Sequence, residues 1–411
     1  MVMRSVLSKD GRLLFLTRAV RLFAYGFLSI ILVLYLTSVG LGDVQVGLLL
    51  ALTLVGDTII SLLITTRADR IGRKRMLILG AALMLFAGTV FALTNNFAFL
   101  LIAAIIGVIS PSGNEVGPFL SIEQSSLSHI VSSKERTMVF AWYNLLGSLS
   151  TASGALAGGW LVQFLQNGGT SPLDSYRSII IGYALFGAVL VVLFLGLTRK
   201  VEVIATEPDG IKRRFGLHRS KGTVLRLSAL FSLDAFGGGF IVQSILAYWF
   251  FVKFGTDPGT LGTIFFAANV LAGFSALAAV RIAKRIGLVR TMVYTHVPSN
   301  ILLIMIPLMP DFTTAMVLLL MRFSISQMDV PTRQSYVIAV VSEDERSAAS
   351  GITGVARTIG SAVALLFVGF LLSDNTLISV PFFIAGGVKL VYDVLLYSGF
   401  KHQEPSEETS H

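Results

Sequence analysis

Three observations on this 411-residue sequence predict an all-α polytopic membrane protein, with twelve transmembrane helices in two pseudo-symmetric six-helix bundles. The first is composition. Only 13% of residues are charged and 54% are hydrophobic, with a mean hydropathy of +0.79, against about a quarter charged in a soluble domain. The second is a series of twelve apolar stretches, each able to supply the roughly 20 residues of a membrane-crossing helix. The third is an internal repeat that divides the chain into halves.

The stretches lie near 13–38, 44–66, 76–94, 97–131, 138–165, 178–198, 225–252, 260–280, 291–309, 312–341, 347–372 and 376–399. They are too long for barrel strands, so each is read as a helix. Span 1 follows Arg4, Lys9 and Arg12 without a small-residue cleavage site, and is expected to be a retained anchor. Spans 2 and 3 flank a basic loop, "ADRIGRKR". Span 4 is too long for one straight crossing, and Pro111, Gly113, Gly117 and Pro118 predict a break in its outer half. Backbone freed at such a break is tolerated only inside protein or beside water, and offers ligands to a polar substrate. Span 5 carries the small-residue run Gly154-Ala155-Leu156-Ala157-Gly158-Gly159, which suits close helix packing. Span 10 repeats the theme of span 4, with Pro331 in "QMDVPTRQS".

The longest polar segment, 199–224, separates the halves. The expected organisation is residues 1–198 as one bundle, 199–224 as a cytoplasmic linker, 225–400 as the second bundle and 401–411 as a tail. "ADRIGRKR" (68–75) aligns with "AKRIGLVR" (283–290) at an offset of 215, which "VGLLLAL" and "LGTIFFA" also keep. "IEQSSLSHIVSSKER" aligns with "TRQSYVIAVVSEDER" at an offset of 210. Three matches in chain order indicate duplication, a layout that places a transport site between repeats.

The net charge of +9 reflects topology. Of 32 Lys/Arg, 24 fall in the N-terminus, even-numbered loops, linker or tail, counting Arg226 at the start of span 7, while only Arg177 and Lys253 lie near the odd-numbered loops. By the positive-inside rule both termini face the cytoplasm, in the cell (inner or plasma) membrane, and no nucleic-acid partner is implied. Cysteine is absent, no phosphate-binding loop occurs, and the histidines form no metal-type cluster. The expectation is a protein that is not an enzyme and needs no cofactor.

Between spans 2 and 3, Asp69-Arg70-Ile71-Gly72-Arg73-Lys74-Arg75 resembles the signature "G-x-x-x-D-R-x-G-R-R/K" of the major facilitator superfamily, with Thr65 in place of its first glycine. The layout of six plus six spans and the degenerate copy between spans 8 and 9 are similar to that family too. The resemblance implies a twelve-span secondary transporter in which Asp69, Arg70, Gly72 and Arg73 form a cytoplasmic gate. Span 5 is similar to the antiporters' "G-P-x-x-G-G", with alanine for proline. Span 4 has Ala103 where an arginine often precedes its glycine, here Gly107, and an arginine stands in span 10 as Arg322.

Ionised residues inside spans are costly, and mark pairs or sites. Arg21, Asp57, Glu123, Asp234, Arg333, Arg357 and Lys389 all fall roughly 13–17 Å from the cytoplasmic ends of their helices, near mid-membrane. Arg18, Arg21 and Tyr25 share one face of span 1. Span 10 has a polar stripe that includes Asp329 and Arg333. The repeat alignment sets Glu123 opposite Arg333 and Gln124 opposite Gln334, and predicts that Glu123 and Arg333 meet across a central cavity. Glu115 and Asn114 are expected nearer the outside.

The expected function is secondary active transport of a small polar or charged organic solute by alternating access, with protons or another coupling ion. Arg18, Arg21, Tyr25, Asn114, Glu115, Gln124, Arg333, Gln334 and Arg357 are the substrate-binding candidates. Asp57, Glu123, Asp234 and Asp329 are the coupling candidates. The alternative is broad-specificity efflux of amphipathic compounds. Expected partners are the small-molecule substrate, the coupling ion and the lipid bilayer, with the protein a monomer.

Overall fold

The computed structural model describes residues 8–132, 135–202, 217, 219–342, 345–374 and 376–401. Most of the expected linker (203–216 and 218) and tail (402–411) lie outside the described residues, as do His218, His402 and His411. Among the described residues, every regular element is helical. A helix satisfies its own backbone, which a hydrocarbon solvent demands.

In chain order the helices are α1 (Lys9–Ser29), α2 (Leu32–Ser38), α3 (Asp43–Ile71), α4 (Arg73–Leu93), α5 (Phe97–Ile106), α6 (Phe119–Ile130), α7 (Arg136–Asn167) and α8 (Pro172–Leu195). There follow α9 (Lys221–Gly239), α10 (Gln243–Phe254), α11 (Pro258–Ile286), α12 (Leu288–Met305), α13 (Phe312–Ser326), α14 (Asp329–Ala339), α15 (Arg346–Leu372) and α16 (Val380–Phe400). Among the described residues, nine helices are long and apolar enough to cross a membrane, counting Lys221–Phe254 as one, and ten when α1 and α2, bent by 47°, make one crossing. The expected spans 4 and 10 fail that length test for one reason: both are interrupted. Span 4 divides into α5 and α6 around residues 107–118, and span 10 into α13 and α14 at Gln327-Met328.

Local chemistry sets the helix ends. Ser8, Asn96, Ser171 and Asp311 each accept a backbone N–H of the first turn that follows, supplying a partner that the helix lacks. Thr314 donates its N–H and hydroxyl to Asp311, and these bonds hold the Asp311 carboxyl below the usual carboxylate range. Large apolar side chains are exposed, Leu93 by 81% and Phe164 by 74%, while Arg18, Arg21, Glu123, Asp234, Arg333 and Asp393 are buried. That inversion of a soluble protein is the expected state of a chain solvated by lipid.

Two compact units are formed. The first holds the described residues up to Glu202 together with Gln243–Phe266; the second holds Leu217–Val242 and those from Ala267 onward. Residues 243–266, read in the sequence as part of the second bundle, thus cluster with the first. Within the first unit α1 packs on α7, α4 on α8 and α3 on α5; within the second α9 packs on α15 and α12 on α16. Span 1 with 5 and 3 with 6 therefore match 7 with 11 and 9 with 12, the same pairing in each unit.

Close approach in the first unit rests on the small residues of α7. A Cβ on Gly154 would lie 2.0 Å from the Phe23 carbonyl oxygen and one on Gly158 2.4 Å from that of Phe27, both on α1. Gly159 similarly meets the backbone of Pro258 and Gly262, and Trp160 Nε1 donates to Thr263 at 3.1 Å. The glycines of span 5 are packing residues.

Candidate functional site

Each unit carries its own cluster of buried charge. In the first, the spacing of Arg18 and Arg21 puts both on one face of α1. Arg21 donates to both oxygens of Glu123 at 2.9 and 2.7 Å, and its Nε donates to Glu115 at 2.8 Å. Arg18 reaches the other oxygen of Glu115 at 2.7 Å, the Tyr143 carbonyl at 2.9 Å and Asn144 at 3.4 Å. Thr17 donates to Glu123 at 2.8 Å, and the Tyr143 hydroxyl donates to the same carboxylate. Aromatic faces complete the enclosure: the Arg18 guanidinium lies 4.2 Å over Tyr143 and that of Arg21 4.5 Å over Phe119. Two cations thus meet two carboxylates in bidentate and bridging geometry, the strongest form of such pairs.

The break in span 4 holds Glu115 within this quartet. Gly113 (φ +71°) and Gly117 (φ +81°) take left-handed conformations that other residues adopt only with strain. Several of the freed backbone groups, expected as ligands for a substrate, are taken up inside the unit. The carbonyls of Val108, Pro111, Gly113, Asn114 and Val116 accept from Tyr183, the Ser244 N–H, Thr151, Ser110 and Tyr25. The Gly117 N–H donates to Asp57 at 2.7 Å. Buried polar backbone is costly unless paired, so these six bonds hold the break in a defined shape.

In the second unit Asp234 of α9 is the hub. Lys389 of α16 donates to it at 2.6 Å and Arg333 of α14 at 3.3 Å; His296 Nε2 of α12 stands 3.6 Å away. Arg333 also donates to Asp329 at 2.6 Å. On the other side of the imidazole, Nδ1 lies 2.8 Å from Asp393, which accepts from Asn300 at 3.0 Å. The histidine is therefore flanked by two carboxylates, one at each nitrogen. Lys389 can lie along α9 because Gly237 leaves it room: a Cβ there would sit 2.9 Å from its side chain.

The candidates divide accordingly. Arg18, Arg21, Glu115, Glu123 and Tyr25 are together in the first unit, but Tyr25 is buried with its hydroxyl on the Val116 carbonyl. Asp234, Asp329 and Arg333 are together in the second. Glu123 and Arg333, expected to meet each other, each find their counter-charges inside their own unit, because neighbouring helices of one bundle supply them. Asn114 and Gln334 are exposed and Gln124 half-buried. Arg357 is half-buried and takes part in no ion pair among the described residues. Asp57 alone of the four coupling candidates has no cationic partner among the described residues.

In the signature loop, Asp69 accepts from Arg73 at 2.8 Å. Gly72 (φ +117°) makes the turn between α3 and α4, and Arg70 is exposed. Glu202 accepts the N–H groups of Arg73 and Lys74 at 2.6 and 3.2 Å, so a carboxylate caps the start of α4. Glu345 does the same for Arg219 and Ser220 at 2.9 Å each, ahead of α9. Sequence reasoning missed these two carboxylates, along with Thr17, Tyr143, His296, Asn300 and Asp393. Two signals were available: His296 with Asn300 and Lys389 with Asp393 are both i, i+4 polar pairs in apolar spans.

An uncharacterized membrane protein of Saccharomyces cerevisiae is 30% identical over 423 residues, covering 95% of this chain and 93% of its own. Among solved structures, the nucleoside transporter NupG superposes with a TM-score of 0.74 at 13% identity, covering 96% of this chain and 100% of that one. The D-xylose-proton symporter gives 0.72 at 15%, covering 94% and 97%; a bacterial homolog of the human lysosomal transporter Spinster gives 0.70 at 16%, covering 95% and 96%. The family model of the Major Facilitator Superfamily matches residues 14–327 and 229–410. With the helical architecture, the repeated packing and this match along nearly its whole length, the chain belongs to the major facilitator superfamily.

Proposed function

We propose that the protein is a proton-coupled secondary active transporter that moves a small polar or charged organic solute by alternating access. The family and the fold, shared with sugar-proton and nucleoside transporters, support the transport class. One observation carries the coupling. Glu123, Asp234 and Asp329 are each paired with a cation, whereas Asp57 faces the Gly117 N–H with no cation beside it among the described residues.

A nearby cation favours the ionised carboxylate, and burial without one favours the protonated form. A carboxylate that loads and releases a proton is therefore better placed at Asp57 than at Glu123, whose two oxygens are already held by Arg21, Thr17 and Tyr143 donors. On this reading Glu123 is a fixed strut and Asp57 the carrier. Protonation of Asp57 would remove charge from the acceptor of the Gly117 N–H, at the break between α5 and α6, and so loosen α3 from that break.

The test is reconstitution of the full chain in liposomes with an imposed pH gradient and a panel of labelled sugars, nucleosides, amino acids and carboxylates. Gradient-dependent accumulation of one solute class is the expected result. Movement of many unrelated lipophilic cations would instead make the protein a broad-specificity exporter, and accumulation indifferent to pH would remove proton coupling.

A further inference from the structure

Among the described residues of the second unit, matching cation to carboxylate leaves two arginines over whose Nε atoms are buried. Asp234 accepts from Lys389 and Arg333, Asp329 from Arg333, and Asp393 faces His296 and Asn300. Arg322, near the end of α13, and Arg357, on α15, have no ion pair and no hydrogen bond among the described residues. The Nε atom of each is buried without an acceptor. Arg322 is 8% exposed, and its guanidinium lies 5.3 Å over the ring of Phe323. That contact meets the face of the cation and satisfies none of its N–H donors.

The two arginines belong to the same unit. Both lie within electrostatic reach of Asp234 and Asp329, and Arg357 also feels the like charge of Arg333. Space is present beside Arg357. Gly354, one turn earlier on the same face of α15, and Gly351 would each carry a Cβ with nothing within 4 Å. The first unit makes the contrast plain, since Arg18 and Arg21 are fully used by Glu115 and Glu123. A buried guanidinium without an acceptor is costly, and its planar fork of donors fits carboxylate and phosphate oxygens.

We propose that Arg357, together with Arg322, binds an oxyanion carried by the transported solute, a carboxylate or a phosphate monoester. This rests on the transport reading above and adds to it the chemical class of the cargo. Asp234, Arg333 and Lys389 are then the scaffold that holds the neighbouring charges still, and the anion supplies the acceptors that the second unit lacks.

The experiment measures heat unfolding of the full-length protein in vesicles of phosphatidylcholine alone. The probes are short mono- and dicarboxylates and sugar phosphates, each beside its uncharged amide or parent alcohol. At least one anion is expected to raise the Tm saturably while its uncharged partner does not. Its apparent affinity should fall about tenfold or more in Arg357→Gln and in Arg322→Gln, and less in Arg357→Lys. It should be unchanged in Arg285→Gln, which alters an exposed arginine of α11. No stabilisation by any anion, equal stabilisation by the uncharged partners, or native affinity in Arg357→Gln would each overturn the site. Should Arg322→Gln fail to fold, Arg357→Gln decides alone. Stabilisation only by added phosphatidylglycerol, lost in Arg357→Gln, would assign the arginines to a lipid headgroup and overturn the cargo site. Failure of the transport reading shows separately: an anion that binds through Arg357 without any flux keeps the site and removes the transporter.

Discussion

Arg21 and Glu123 form a bidentate pair in which both side chains are fully buried, with N–O distances of 2.9 and 2.7 Å. Removing one partner of such a pair strands the other charge. Arg21→Met is predicted to lower stability by about 3–5 kcal/mol, read as loss of folded protein and a lower Tm in detergent. The double variant Arg21→Met/Glu123→Met should be milder than the sum of the two single changes, because no charge is then left alone at that position. Additive losses would show that the pair is not a unit.

Asp234 serves two cations directly and faces His296 as a third neighbour, whereas Lys389 pairs with Asp234 alone among the described residues. Asp234→Asn should therefore be more damaging than Lys389→Met. In a double-mutant cycle the two changes should couple by about 0.5–3 kcal/mol. Equal effects with no coupling would mean that Lys389 finds its stabilisation elsewhere.

Gly154 and Gly158 let α7 touch the backbone of α1. Gly154→Leu should cost about 1–3 kcal/mol or more through overpacking, visible as a lower Tm. Gly387 on α16 is the control: a Cβ there meets nothing within 4 Å, so Gly387→Ala should be neutral or gain about 0.5–1 kcal/mol from helix propensity. If Gly154→Leu is tolerated as well as Gly387→Ala, the helix contact is not tight.

Much of this architecture was legible in the amino-acid order. Hydropathy marks the spans, three repeat matches mark the duplication, and Pro111, Gly113, Gly117 and Pro118 lie within the observed interruption between α5 and α6. Depth was legible too, since the rise of a helix is fixed. Azimuth was not. A repeat alignment places Glu123 and Arg333 at one level, but it cannot say which helix each side chain turns toward, and both turn inward to their own bundle. Partners at distance 102, as Arg21 is from Glu123, leave no local pattern. Nor did the backbone of the span 4 break reveal its partners, because Tyr25, Thr151 and Tyr183 come from three other helices.

Glu202 caps the first turn of α4 beside the family signature. Glu202→Ala is predicted to lose about 1 kcal/mol of stability, with Glu202→Gln intermediate because it keeps an acceptor. Glu345 is 1% exposed, so Glu345→Ala should lose more, about 1–3 kcal/mol. Unfolding curves of the variants check both, and an unchanged Tm for Glu345→Ala would contradict the cap.

The direct comparison is between Asp57→Asn and Glu123→Gln, with solute-evoked proton movement recorded by a pH dye inside proteoliposomes. With Asp57 the carrier, Asp57→Asn keeps solute exchange but gives no proton signal, whereas any properly folded Glu123→Gln protein still moves protons with solute. Proton movement at the native ratio in Asp57→Asn, or its selective loss in Glu123→Gln, would contradict the assignment.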